Sequence, residues 1–203
     1  MAMASPQFTL RRADETHVSQ VQELEFEFWR DPFVEEWGPS GLAYNRYYNL
    51  SALWPYGIYV AVDAANRVLG YVAQERISRL DLRPGMPPYN HDPKEFHRQH
   101  GSILYIINHT VRKEAAGLGV SKALIGGLQE DVSKPPIIRG DELNGIAVIW
   151  NHEHPFLKEP AKFWGRYGFE PLDYTRDENW GPVKGKRATG GTVWGWPPSY
   201  FKR

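Results

Sequence analysis

The sequence NHTVRKEAAGLGVSKAL fills positions 108–124 and directly follows the apolar run Ile103–Ile107. The apolar run has the length and side chains of a buried strand, and apolar residues recur at helical spacing after the glycines. The sequence therefore predicts a strand that delivers a glycine-bearing loop to the N-terminus of a helix. Such a loop suits a phosphate group, because backbone N–H groups and the helix dipole both favour negative charge there. Gly117 and Gly119 allow close approach that a Cβ would obstruct. The helix-spaced apolar positions are Leu124, Ile125, Leu128 and Val132.

Two common nucleotide-binding motifs are excluded at this loop. A Walker loop needs Gly-Lys-Ser/Thr after four variable residues, and a dinucleotide fingerprint needs a third glycine. Neither pattern occurs around Gly117 and Gly119. For this loop alone, an ordinary strand–loop–helix joint with glycines that serve packing is an equal alternative. The interpretation therefore depends on the rest of the chain.

A second pair of segments carries the interpretation further. A strand-like run at 145–151 is followed by the segment PAKFWGRYGF at 160–169. Together with the loop they resemble the GNAT N-acetyltransferase superfamily, whose phosphate loop commonly reads Arg/Gln-x-x-Gly-x-Gly/Ala and whose later helix ends in a Phe-Tyr-x-x-x-Gly-Phe-like pattern. In this chain the two motifs are EAAGLG at 114–119 and FWGRYGF at 163–169. The matching core covers roughly residues 102–175.

The resemblance implies an α/β fold with a mixed, largely antiparallel central sheet and helices on both faces. A single domain is expected over residues 1–203, in which residues 1–6 form a flexible tail. An acidic run at Glu23, Glu25 and Glu27 of the first helix is interpreted as a solvated face. Beyond the strand–loop–helix unit, the patterns predict strands at 7–12, 57–63, 68–77, 145–151, after Gly168 and at 191–196, and helices at about 14–30, 40–50 and 158–167.

The composition argues against several classes of partner. The 203 residues carry 24 Lys and Arg against 24 Asp and Glu, so no net basic field exists to attract nucleic acid or an anionic membrane. Cysteine is absent, which excludes thiolate metal sites and a cysteine nucleophile. No signal-peptide pattern opens the chain, and no apolar run has transmembrane length. A cytoplasmic protein without nucleic acid or membrane partners is expected, and a homodimer stays open.

The resemblance implies transfer of an acetyl group from acetyl-CoA to an amine, by direct attack in a ternary complex and without a metal. The acceptor is expected to be a small-molecule amine. A proline-rich segment at 81–100 is too long for an ordinary connection and suggests a flap over an enclosed pocket. A protein N-terminus or a lysine is the alternative acceptor.

The resemblance also assigns coenzyme contacts. In the family, main-chain groups of the fourth strand bind the pantetheine arm, and the loop before the central helix holds the pyrophosphate. For His109 of the fourth strand, a structural role and a coenzyme contact are equal alternatives. The full set of carried-over coenzyme residues is His109, Thr110, Val111, Arg112, Lys113, Glu114, Ala115, Ala116, Gly117, Leu118, Gly119, Val120, Asn151 and Phe163.

The first position of the loop departs from the family pattern. Glu114 stands where the family usually has Arg or Gln, and a carboxylate repels a diphosphate. Two arrangements would relieve this repulsion. Either Glu114 turns outward, or Arg112 and Lys113 supply positive charge from a shifted loop.

The catalytic acid and base are less well specified. Trp164 replaces the tyrosine that often protonates the departing thiolate, and an indole N–H is no proton source near neutral pH. Tyr167 is the nearby candidate, although a core position is preferred for it, and water would also serve. For the base, the family places a carboxylate or a histidine on the fourth strand, where this chain holds Ile103 and Tyr105. A half-buried strand tyrosine is the preferred interpretation of Tyr105, and Glu75 on the third strand or a water chain to backbone carbonyls is an alternative base.

Two rival functions come from other classes. Glu114 in the loop and Trp164 in the later helix depart from the family pattern, and both departures would suit a catalytically weak CoA-binding module. Histidines would suit a metal-dependent hydrolase, because two histidines separated by one residue can ligate zinc. The histidines concerned are His91, His97, His100, His152 and His154.

Overall fold

The computed structural model describes residues 8–29, 50–52, 54, 57–78, 97–134, 142–151, 159–176 and 191–201. Within these ranges no helix is long and apolar enough to cross a membrane. The predicted tail at 1–6, all but the last residue of the predicted helix at 40–50, and residues 81–96 of the predicted flap lie outside them. The strands are β1 Thr9–Arg12, β2 Ile58–Val62, β3 Val68–Ile77, β4 Ile103–Val111, β5 Gly145–Asn151, β6 Glu170–Arg176 and β7 Gly191–Trp196. The helices are α1 Glu15–Trp29, α2 Val120–Ser133, α3 Pro160–Gly165 and α4 Pro198–Phe201, and a 3-10 turn spans Lys113–Ala115.

The seven strands form one sheet in the order β1-β2-β3-β4-β5-β7-β6. Every neighbouring pair is antiparallel except β4 and β5, which are parallel. A parallel pair needs a crossover connection, and α2 supplies it between these two strands. The predicted mixed, largely antiparallel sheet is therefore confirmed.

Each face of the sheet buries its own apolar core. On one face, Val18, Val21 and Leu24 of α1 pack with Phe201 of α4 against the sheet. On the other face, α2 and α3 pack against the alternate side chains of the same strands. The helix-spaced residues Leu124, Ile125 and Leu128 are fully buried on this second face, as the periodicity of the sequence predicted. Helices on both faces are confirmed.

Local capping fixes the start of α1. The Asp14 Oδ1 atom accepts hydrogen bonds from the backbone N–H groups of Thr16 at 2.9 Å and His17 at 3.2 Å. These are two of the first N–H groups of the helix, which have no acceptor within the helix itself. Asp14 therefore caps α1.

The acidic run of α1 confirms the predicted solvated face only in part. Glu23 and Glu27 are exposed, as a solvated face requires. Glu25 instead accepts a hydrogen bond from Asn108 at 3.2 Å, and Glu27 forms a 2.8 Å salt bridge with Arg112. Two of the three carboxylates therefore join α1 to the end of β4, because the acidic residues occupy more than one side of the helix.

Candidate functional site

The sheet opens between its two parallel strands. β4 pairs with β5 only from Ile103↔Gly145 to Ile106↔Val148. Both strands then continue, β4 to Val111 against β3 and β5 to Asn151 against β7. Residues 107–111 of β4 and 149–151 of β5 therefore face one another without strand pairing. We call this opening the β4–β5 cleft, and main-chain polar groups of β4 face into it.

A bulge coincides with the start of the cleft. On β3, Ala73 pairs with Asn108 while its neighbour Gln74 pairs with Ile106. Ile107 is therefore an extra residue in β4 that has no β3 partner. A bulge of this kind bends its strand and re-aims the side chains that follow.

The bulge sends consecutive polar side chains of β4 to opposite faces. Asn108 follows Ile107 onto the α1 face, where its Nδ2 donates to Glu25. The Asn108 Oδ1 accepts a 2.7 Å hydrogen bond from the backbone N–H of His109. The His109 ring then lies on the α3 face, with its centroid 5.8 Å from that of Phe163. With regular alternation, the two side chains would have exchanged faces.

His109 is an electrically neutral wall of the site. Its side chain is half-buried, and burial lowers the pKa of His109 to about 4. Within the residues that the structure describes, its buried Nε2 atom has no hydrogen-bond partner. A neutral imidazole nitrogen in this position can bond to a polar group of a bound molecule. Thr110 differs, because its side chain is buried beside Tyr71 under α1, so only its main chain can face the cleft.

The predicted phosphate loop leads from β4 to α2. Gly117 and Gly119 have φ values of 82° and 83°, which favour glycine, and nothing lies within 4 Å of a Cβ added at either. Gly119 is the N-cap of α2, and no side chain caps this helix. Its first N–H groups therefore have no side-chain cap, and N–H groups of this kind at a helix N-terminus favour an anion. Leu118, between the glycines, is 45% exposed.

The structure shows the first of the two arrangements considered for Glu114. The Glu114 side chain is 55% exposed and forms a salt bridge with Arg67. A hydrogen bond from its own backbone N–H lowers the pKa of the Glu114 carboxyl, and Arg67 adds to this effect. Arg112 is buried on the α1 side, where it donates to Val68 O at 2.7 Å and to Glu27. Its charge is used within the protein, whereas Lys113 is exposed.

The two candidate bases lie side by side on the α1 face. Glu75 of β3 pairs with Tyr105 of β4, which pairs in turn with Ala147 of β5. These three residues form a row across the sheet, one residue before the last β4–β5 pair, Ile106↔Val148. Glu75 is 0% exposed and Tyr105 is 3% exposed. Both side chains are therefore buried on the α1 face, close to the start of the cleft.

The two candidate acids occupy different environments. Trp164 is 1% exposed and packs in the core against Phe163 and Phe169. Core packing accounts for this placement, and a catalytic role of Trp164 stays a prediction. Tyr167 is half-buried, and burial raises the pKa of its phenol, while a hydrogen bond from the Ser121 hydroxyl opposes that shift. Tyr167 packs against the core of the α3 face, as preferred from the sequence, and also borders the first turn of α2.

Some candidates fall outside what the structure describes. His91, His152 and His154 lie in its gaps, and of Asn151 only the backbone is described. Among the described residues, no three His, Cys, Asp or Glu side chains converge as metal ligands would. His97 packs 5.7 Å from the ring of Trp54, and its Nδ1 accepts a hydrogen bond from the Arg76 backbone.

Sequence reasoning missed two contacts near the site. One is the salt bridge from Arg67 in the β2–β3 turn to Glu114, and the other is the Glu25–Asn108 hydrogen bond. The residues of these pairs lie 47 and 83 positions apart. Opposite charge was a weak available signal for the first pair. No local pattern indicates the second.

Known proteins resemble this chain in structure and not in sequence. No protein-family model matches the sequence, and no curated protein matches it. The structure is similar to the loading GNATL domain of CurA from Lyngbya majuscula, with a TM-score of 0.66, 14% identity and coverage of 93% of this chain and 96% of that one. It is similar to a GphF GNAT-like decarboxylase in complex with isobutyryl-CoA, with a TM-score of 0.64, 13% identity and coverage of 92% and 97%. It is also similar to Arabidopsis thaliana Naa50 in complex with the bisubstrate analogue CoA-Ac-MVNAL, with a TM-score of 0.58, 14% identity and coverage of 93% and 97%. The chain therefore has the fold of the GNAT acetyltransferases.

Proposed function

We propose that this protein is an acyl-CoA-dependent N-acetyltransferase that transfers acetyl from acetyl-CoA to an amine in a ternary complex. The observation that carries the proposal is the β4–β5 cleft, which opens toward the same end of β4 as the uncapped N-terminus of α2. One elongated molecule with an anionic end could use both features. Two of the similar structures named above, Naa50 and the GphF decarboxylase, are complexes with CoA derivatives, which supports this class of ligand.

The residues of the site fit CoA. Main-chain groups of residues 109–111 would hold the pantetheine arm, and the His109 Nε2 atom offers an acceptor to one of its amide N–H groups. Backbone N–H groups of Gly117, Gly119 and Val120 would hold the pyrophosphate, where a Cβ on either glycine would fill open space. The Leu118 N–H instead donates to Ala115 O. The thioester supplies an already activated acyl group. The protein has to position it, polarise its carbonyl and remove a proton from the acceptor.

The acceptor side favours a cationic amine. An amine is largely protonated near neutral pH, so a base must take its proton before attack. Glu75 is the proposed base, with Tyr105 beside it as the alternative. Glu25, at the far side of Asn108, adds a second carboxylate to the α1 face. A small-molecule amine is the proposed acceptor, and the segment at 81–100 is proposed to serve it. The peptide-like analogue in the Naa50 complex makes a peptide the alternative.

Proton return to the departing thiolate requires a different group. Tyr167 is the proposed donor, because a phenol is protonated at neutral pH and this side chain is half-buried beside the first turn of α2. Water is the alternative donor. Trp164 is not part of this proposal, because its side chain packs in the core. A metal has no role in this proposal.

The test is acetyl-CoA binding by calorimetry, followed by amine-dependent thiol release across a panel of small amines and peptides. Binding with amine-dependent release is expected. Binding without turnover on any acceptor would identify a CoA-binding module instead. No heat and no rise in melting temperature at saturating acetyl-CoA would refute the proposal, because a ligand of the folded state must stabilise it.

A further inference from the structure

The turn between β2 and β3 is a well-defined structure close to the proposed phosphate loop. The Asp63 Oδ1 atom accepts hydrogen bonds from the backbone N–H groups of Ala65 and Arg67, both at 2.9 Å. Asn66 adopts a φ of 61°, a conformation that asparagine tolerates better than most residues. The main chain of Arg67 is therefore fixed by its own turn.

Three contacts bring this turn against the loop. The Arg112 backbone N–H donates to Leu69 O at 2.8 Å, and the Arg112 Nε donates to Val68 O at 2.7 Å. A Cβ added at Gly70 would lie 2.9 Å from a methyl group of Val120, the first residue of α2. The start of β3 and the start of α2 are thus in direct contact. A long side chain from the turn can reach the open N–H groups of the loop.

Arg67 reaches this region and is held there by Glu114. The Arg67 Nη2 contacts the Glu114 Oε1, and the two side chains are 50% and 55% exposed. Surface pairs this exposed contribute little to folding. The effect of the Arg67–Glu114 pair therefore lies in the position at which Glu114 holds the guanidinium. A guanidinium has five N–H donors in a fixed fork, so it can bind a carboxylate with one edge and a phosphate with another.

We propose that Arg67, positioned by Glu114, binds a phosphate of the coenzyme at the start of α2. The inference rests on the proposed function. It also accounts for the unusual acidic residue of the loop. Where the resembling family usually carries a cation or an amide at this loop position, this chain carries a carboxylate that holds a cation from the neighbouring hairpin. Arg112 does not fill this role, because its guanidinium binds Val68 O and Glu27.

A double-mutant cycle separates this role from simple charge. Glu114 has two opposing effects on a phosphate, since it repels the anion directly and holds the arginine that attracts it. If Glu114 only repels, Glu114→Gln should strengthen CoA binding equally with and without Arg67. If Glu114 positions Arg67, Glu114→Gln should strengthen CoA binding in the Arg67→Gln background. In the wild-type background it should strengthen CoA binding much less, or weaken it. We expect the two effects to differ by about two- to fivefold.

The experiment measures CoA and dephospho-CoA affinities by calorimetry for wild type, Arg67→Gln, Glu114→Gln and the double variant. Arg67→Gln is expected to weaken CoA binding by roughly three- to tenfold, more at low salt. An equal loss for both ligands assigns Arg67 to the diphosphate, and a loss for CoA alone assigns it to the 3′-phosphate. Arg11→Gln is the matched control, because Arg11 is also exposed and contacts the same turn through Asn66. It should leave both affinities unchanged.

The failure of this inference and the failure of the proposed function give different results. Wild-type protein that binds no CoA overturns both. Wild-type binding that Arg67→Gln leaves unchanged overturns only the role of Arg67, as would a loss of equal size in Arg11→Gln. Should Arg67→Gln fail to fold, Arg67→Lys keeps the charge without the fork. It should then show weakened binding and no dependence on Glu114.

Discussion

Substitution of Gly119 tests the phosphate loop most directly, because its consequences for folding and for binding can be separated. Gly119 has a φ of 83° and an added Cβ would meet nothing within 4 Å. A Cβ in the left-handed region costs about 1–2 kcal/mol, and the less flexible unfolded chain offsets about 0.4–1 kcal/mol. Gly119→Ala should therefore lower the free energy of unfolding by about 1 kcal/mol through backbone strain alone.

The chain provides a matched control on the same helix. Gly126 lies within α2, its added Cβ would also meet nothing within 4 Å, and its φ is not positive. Gly126→Ala should raise the free energy of unfolding by about 0.5–1 kcal/mol, because glycine weakens a helix interior. The two variants should thus shift the urea midpoint in opposite directions, although neither side chain touches the protein.

Binding adds the decisive measurement. The open space at Gly119 is where the proposed phosphate would lie, so Gly119→Val should weaken CoA binding at least tenfold, about 1.4 kcal/mol. Gly126→Ala should leave the calorimetric affinity unchanged. A Gly119→Val protein that is folded by circular dichroism and binds CoA like the wild type would refute the assignment of this loop to phosphate.

Three further predictions follow from buried polar groups. As pH falls from 6.5 toward 4, unfolded His109 gains a proton that the folded ring, with a pKa of about 4, does not take up, so stability falls by up to about 1.4 kcal/mol per pH unit. His109→Gln should show a shallower decline in urea titrations across this window, and an identical decline would contradict the burial of His109. Glu75→Gln should reduce turnover by about a hundredfold or more while CoA affinity changes less than twofold, since the amide cannot accept the acceptor's proton. Unchanged turnover would exclude Glu75 as the base. Tyr59→Phe should lower the free energy of unfolding by about 1 kcal/mol, because the Tyr59 hydroxyl donates to Asp131 between β2 and α2. Tyr105→Phe provides a comparison at a buried tyrosine of β4. If Tyr59→Phe leaves the free energy of unfolding unchanged, the hydrogen bond to Asp131 contributes nothing to folding.

Periodicity and punctuation made most of the fold predictable. The β2–β3 hairpin was predictable because two strand-like runs flank the short segment AANR at 64–67, and the structure has strands at Ile58–Val62 and Val68–Ile77. The central helix was predictable from the spacing of its apolar residues, and in the structure it ends at Ser133. Such features depend on neighbours within a few positions, which a single sequence records.

The details of the site depend on pairings that a single sequence does not record. Regular alternation would have placed Asn108 on the α3 face and His109 on the α1 face, whereas the bulge reverses both. The direction in which Glu114 turns depends on Arg67, whose position follows from the register of β3 against β4. Strand register and bulges arise from contacts across the sheet, so the residue types of the loop were informative and their orientations were not.

The extra residue in β4 gives one continuous strand two phases of side-chain alternation. Odd-numbered side chains face α1 up to Ile107, and even-numbered ones face it from Asn108 onward. In a saturation scan, the period of mutational tolerance should therefore shift by one position between 107 and 108. Deletion of Ile107 would restore a regular ladder with β3, and all the remaining side chains of β4 would stay on their present faces. The shape of the strand can thus be altered without changing its chemistry, which distinguishes the contribution of the bend from that of the side chains around it.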